Sequence, residues 1–191
     1  MVGRAALLWA AAVAAAAGLA AGAWLSHSLT APLPRMEDPA PATPAPRPAV
    51  HAAQPGQAMP AFSAMDLDGK PVSFPGDYAG KPLLINVWAS WCGPCVEEMP
   101  ELARYAEQQG DSGPQVIGLA LDTPEAVRDF LTRVPVGYPI VLDSPGPADA
   151  SVKLGNTQGL LPYTVLVDAQ GRIVKQKLGP FKAGEIEGWA E

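Results

Sequence analysis

The sequence predicts an α/β domain in which helices flank a mixed β-sheet. Three observations predict it. Short apolar runs alternate with helix-patterned segments from Leu83 to Leu154. Two more runs then follow with only Ala169-Gln170-Gly171-Arg172 between them, which reads as a hairpin. The only two cysteines of the chain, Cys92 and Cys95, fall where the first buried run ends and a helix begins. That is the carboxyl end of a strand, where open α/β sheets place their sites.

The elements follow in order. Phe62 to Leu67 and Val72 to Phe74 are short strands around the turn Asp68-Gly69-Lys70. Leu83 to Trp88 is uninterrupted by charge and reads as a buried strand. Gly93 to Gln109 is a helix, bent or re-started at Pro100. Val116 to Leu121 is a second buried strand. Thr123 is placed to cap a helix that starts with Pro124 and runs to about Val134. Tyr138 to Leu142 is a short strand and Asp149 to Leu154 a short helix. Tyr163 to Asp168 and Ile173 to Leu178 form the hairpin, and a last helix covers Lys182 to Ala190.

Two segments precede this domain, which composition places at residues 58–191. Arg4 is followed by an uncharged run, Ala5 to Leu25. It is long enough for the bilayer core, which takes about 20 residues. A positive charge before the run favours an N-in orientation. Residues 1–25 therefore read as a membrane anchor. The alternative is a cleaved signal peptide, for which Ala21-Gly22-Ala23 offers a small-x-small site. Residues 26–57 are dominated by proline and alanine and read as a semi-rigid, extended tether. The domain is then expected in the periplasm, on the inner membrane of a bacterium. A net charge of −6 without a basic cluster excludes a nucleic-acid binder.

The chemistry lies in Trp91-Cys92-Gly93-Pro94-Cys95. A strand that delivers Cys-x-x-Cys to a helix start is a setting for reversible thiol–disulfide exchange. The unpaired N–H groups and the positive end of the helix favour a thiolate at Cys92. Cys95 lies close enough to resolve a mixed disulfide. Structural zinc would need four ligands, and the only histidines, His27 and His51, lie far upstream. An inert disulfide over so short a loop would add little stability. Two unpaired core cysteines would leave Gly93-Pro94 between them unexplained. No metal or other cofactor is expected.

The segment Asn86 to Leu102, with Trp91-Cys92-Gly93-Pro94-Cys95-Val96-Glu97-Glu98-Met99-Pro100 at its centre, resembles the active-site segment of membrane-anchored thioredoxin-like proteins of the TlpA/ResA type. Leu161-Pro162-Tyr163-Thr164-Val165-Leu166-Val167-Asp168 is similar to the cis-proline strand of that family. The resemblance covers Met59 to the C-terminus. It implies a thioredoxin fold with an N-terminal β-hairpin and a central strand–helix insert. It also implies periplasmic dithiol–disulfide exchange, commonly as a reductant in cytochrome c maturation or in copper delivery to oxidases. The partners so implied are disulfide-containing periplasmic proteins and an upstream membrane electron donor. The C-terminal segment looks short for the family.

Roles follow for eight residues. Cys92 is the nucleophile and Cys95 the resolving thiol. Glu98, one turn after Cys95, flanks the inward stripe of Cys95, Met99 and Leu102 and is placed to take the proton of Cys95. Pro162 is expected in cis, turning the backbone at Leu161 towards a substrate strand, and Trp91 forms an apolar lip beside Cys92. Trp88 is expected in the core, and Asn86 is expected to satisfy a buried backbone group. Two other functions compete. A peroxiredoxin-like peroxidase would carry a threonine shortly before its cysteine, and Asn86 to Trp91 holds none. A copper-binding assembly chaperone would want a histidine inside the domain.

Overall fold

A computed structural model describes residues 51–110 and 113–191. The proposed anchor and most of the tether lie outside the described residues. Among those described, no helix is long and apolar enough to cross a membrane.

The chain forms strands β1 (Phe62–Asp66), β2 (Pro71–Phe74) and β3 (Leu83–Trp88), helix α1 (Gly93–Gln109), strand β4 (Gln115–Leu121) and helix α2 (Pro124–Arg133). Strand β5 (Ile140–Asp143), helix α3 (Ala150–Lys153), strands β6 (Tyr163–Val167) and β7 (Ile173–Leu178) and helix α4 (Glu185–Ala190) complete it. The strands make one mixed sheet in the order β2-β1-β5-β4-β3-β6-β7. The β3–β4 and β4–β5 pairs are parallel, and β1–β2, β1–β5, β3–β6 and β6–β7 are antiparallel. This is the thioredoxin-type mixed sheet that the sequence implies. The insert strand β5 joins it beside β4, and β1 pairs only with β5 and β2. The insert thus carries the N-terminal hairpin.

Most boundaries agree with the sequence reading to within two residues. Thr123 caps α2, its hydroxyl accepting from the Ala126 N–H at 3.2 Å, with Pro124 in the first turn. Helix α1 runs unbroken through Pro100. The last helix is shorter than expected, because Lys182 to Gly184 form the turn that leads into it. A short 3-10 turn, Gly76–Tyr78, follows a cis Phe74–Pro75 peptide, and neither had a signal strong enough to read. Residues 53–57, which composition placed in the tether, are bonded to the domain. The Ala53 N–H donates to the Lys153 carbonyl at 2.9 Å, the Gly56 N–H to the Ile173 carbonyl at 2.7 Å, and the Ile173 N–H to the Gln57 carbonyl at 2.9 Å.

Strand alternation divides the core into two layers. Ile85, Val87, Ile117, Leu119, Val165 and Val167 face one side, with the stacked rings of Phe62 and Phe74. Leu84, Trp88, Val116, Ala120 and Leu166 face the other, under Met99 and Leu102 of α1. Asn86 falls between Leu84 and Trp88 on the α1 side, which places a polar group beneath the helix that carries both cysteines.

Candidate active site

Cys92 is the N-cap residue of α1, in an extended conformation, with Gly93 and Pro94 forming the first turn. Its carbonyl accepts the N–H groups of Cys95 and Val96, both at 3.1 Å. Proline costs nothing at this point, since its missing N–H would have had no partner within the helix. The geometry brings the two cysteine Cα atoms to 5.3 Å, and their sulfurs are bonded. This separation lies within the ordinary disulfide range. The pair is asymmetric. Cys92 is 6% exposed and Cys95 is fully buried. Trp91 beside them is 72% exposed, an unusual position for the largest apolar side chain. Trp88 lies wholly in the core.

The loop before Cys92 is fixed from β4. One oxygen of Asp122 accepts both the Ser90 N–H at 3.0 Å and the Ser90 hydroxyl at 2.6 Å. Nothing in the sequence pattern pointed to this pair. The only hint was an acid at the carboxyl end of the neighbouring parallel strand.

Leu161–Pro162 is a cis peptide, as the resemblance implies. Pro162 is buried, and its carbonyl accepts the Gly179 N–H at 2.9 Å. Leu161 is half-buried and packs against both core layers.

Glu98 sits inside the protein, 2% exposed. One carboxylate oxygen accepts from Asn86 Nδ2 at 2.8 Å and the other from the Phe181 N–H at 2.7 Å. Asn86 Nδ2 also reaches Thr164 Oγ1 at 3.0 Å. The β3–β6 register sets this contact, because it places Asn86 opposite Thr164. The expectation that Asn86 serves a buried backbone group is therefore corrected. Its amide nitrogen is shared between two side chains, and its Oδ1 is buried without a partner. Thr164 and Phe181 were missed at the sequence level. Phe181 acts through its backbone, which no residue pattern announces.

Burial dominates the electrostatics of Glu98. Loss of water raises the carboxyl strongly. The Phe181 and Asn86 hydrogen bonds and the Lys177 charge pull it down, Glu185 pushes it up, and the balance lies at about 7. A carboxyl that takes up or gives off a proton near neutrality thus lies one turn from Cys95 on the same helix. Tyr138 is raised in turn, by burial first and the Glu98 charge second.

Known proteins match this arrangement. The family described as Redoxin matches residues 54–189. The chain is 31% identical to the thiol-disulfide oxidoreductase ResA of Bacillus thuringiensis (strain Al Hakam) over 137 residues, which cover 70% of this chain and 75% of that protein. It is 28% identical to the sporulation thiol-disulfide oxidoreductase A of Bacillus subtilis (strain 168), covering 73% and 86%. Among solved structures, a thioredoxin-related protein from Neisseria meningitidis serogroup B superposes with a TM-score of 0.58 at 30% identity, over 65% of this chain and 93% of that one. With both cysteines at a strand–helix junction and these relatives beside it, the chain belongs to the Redoxin family as a thioredoxin-like thiol–disulfide oxidoreductase whose redox-active pair is Cys92 and Cys95.

Proposed function

We propose that the protein reduces disulfides in exported partner proteins while held on the periplasmic face of a bacterial inner membrane. The observation that carries this reading is the asymmetry of the pair: Cys92 keeps a narrow opening to solvent, 6% exposed beside an exposed tryptophan, while Cys95 is fully buried one turn from a buried carboxyl. The apolar run Ala5 to Leu25, the proline-rich tether and the Gly-Pro dipeptide support the location and the direction. The resemblance of the active-site segment directs the reading to cytochrome c maturation or to assembly of an oxidase copper site.

In this reading the Cys92 thiolate attacks one sulfur of the target disulfide. A mixed disulfide forms and the first target thiolate leaves. Glu98 takes the proton of Cys95, and the resulting thiolate attacks the Cys92 sulfur. The Cys92–Cys95 disulfide forms, and the second target thiolate leaves. Two electrons have passed to the target, and an upstream membrane donor restores the dithiol. Trp91, Leu161 and Pro162 frame the surface against which the target chain lies extended.

Trapping tests the proposal. Cys95→Ser lacks the resolving thiol, so partners should accumulate as mixed disulfides on Cys92. Recovery of exported, disulfide-bearing proteins from membranes supports it. A variant that traps nothing, or a measured potential as oxidising as about −120 mV, refutes the reductant role.

A further inference from the structure

The segment between β7 and α4 is bound to the site through its backbone. It runs between Gly179 and Gly184, which have φ of 91° and 72°. L-residues with side chains rarely adopt such values, so the two glycines fix where the turn bends. Three amides of this short segment donate to three carboxylates. Phe181 N–H reaches Glu98 at 2.7 Å, Lys182 N–H reaches Glu185 at 2.8 Å and Gly184 N–H reaches Glu101 at 2.7 Å. Lys177 at the end of β7 closes the loop by pairing with Glu185 at 2.9 Å, and its ammonium stands 5.2 Å from the centre of the Phe181 ring. That ring packs edge-on against Trp189 of α4 at 5.2 Å.

We propose that the Lys177–Glu185 pair is a positioning clamp: it holds the Gly179–Gly184 turn closed so that the Phe181 amide stays on the Glu98 carboxylate. The proposal rests on the reading of Glu98 as the base for Cys95, since it assigns the clamp to that site. An exposed ion pair is ordinarily worth little. This one closes a turn whose other end delivers a hydrogen bond to a buried charge, where each such bond counts for more.

The charged and titratable groups facing Glu98 are Lys177 from β7, Glu185 from α4 and Tyr138 from the segment before β5. Their signs permit a discriminating test. Removing the Glu185 charge through space alone would make Glu98 more acidic, because Glu185 repels its carboxylate. Opening the clamp would make Glu98 less acidic, because the Phe181 hydrogen bond favours the charged form.

The full chain is studied in its oxidised form, where neither cysteine titrates. The Glu98 carboxyl is followed by carbon-13 NMR and the Phe181 amide by hydrogen exchange. In Glu185→Gln the clamp predicts an upward move of the Glu98 midpoint by up to about one pH unit, with Phe181 exchange faster by about tenfold. A midpoint that falls or stays in place overturns the proposal, whatever the amide does. If Glu185→Gln does not fold, Lys177→Met decides by the amide: faster exchange supports the clamp and unchanged protection overturns it. Neither readout involves catalysis. A displaced midpoint that leaves the pH profile of mixed-disulfide resolution unmoved would uphold the clamp and refute Glu98 as the base.

Discussion

Replacing Glu98 with glutamine should flatten the dependence of stability on pH. In the oxidised protein Glu98 titrates at about 7 against an ordinary 4.5, because burial disfavours its charge. Between those two values the native state holds a proton that the unfolded chain has released. Stability contributed by this group is therefore full below about pH 4.5, falls as pH rises through about 7, and is level above that. A displacement of about two and a half pH units corresponds to about 3 kcal/mol. That is a large share of a typical domain stability of about 5–15 kcal/mol. Glutamine keeps the shape and removes the charge. Its oxygen can accept the Phe181 N–H, and Asn86 can turn its partnerless Oδ1 towards the new amide nitrogen. The assay is urea unfolding of both oxidised proteins at a series of pH values. The wild type should lose about 3 kcal/mol relative to Glu98→Gln between acid and neutral pH. Parallel curves across that window would refute the argument that burial controls this carboxyl.

The remaining predictions concern the site and the edge of the domain. Thiol alkylation should label both cysteines after reduction and neither after oxidation, and two labelled thiols under equilibrated oxidising conditions would contradict a reversible pair. In stopped-flow measurements at neutral pH, Glu98→Gln should slow resolution of the mixed disulfide, on the order of 100-fold, more than its formation. The deficit should shrink as pH rises and Cys95 ionises unaided. Gly155→Ala should destabilise the domain by about 2 kcal/mol or more in the same urea assay. Gly155 has φ of 112°, and an added Cβ would lie 2.7 Å from the Tyr163 hydroxyl and 2.8 Å from the Ala53 carbonyl.

Elements whose physics is local were legible in the sequence. Thr123-Pro124 signals a helix start by capping chemistry alone, and Cys92-Gly93-Pro94-Cys95 signals its own by position after an apolar strand. Cys92, Cys95 and the inward side of Glu98 could be read for that reason. Phe181, Thr164, Ser90 and Asp122 could not. Each joins the site through strand register or a backbone amide, and both depend on contacts between residues far apart in the chain. Asn86 shows the difference. Period-2 alternation places it under α1, but its actual partners depend on β6 lying antiparallel beside β3. The boundary of the domain was misplaced for a similar reason. Proline and alanine content marks the tether, whereas the attachment of Ala53 relies on Lys153 and Gln176, about a hundred residues away.

The convergence on one carboxylate says why this sheet suits the chemistry. Asn86 comes from β3, Thr164 from β6, Glu98 from α1 and the Phe181 amide from the turn after β7. Three of the four are neutral, so the group that titrates near neutrality among them is Glu98. Had an acid stood at Asn86, two buried carboxyls would share one site and split their titrations. With asparagine there, the strand supplies a donor that holds the carboxylate without competing for its proton. The hydrogen bonds keep Glu98 from being driven far above neutrality, while burial keeps it from being a spent carboxylate at pH 7. A base held between those limits can take a thiol proton and give it up again in each turnover. The same network ties α1, which carries both cysteines, to β6, the strand that follows Pro162. On the proposed reading, the proton chemistry of the pair and the surface offered to a partner are therefore built on one set of hydrogen bonds.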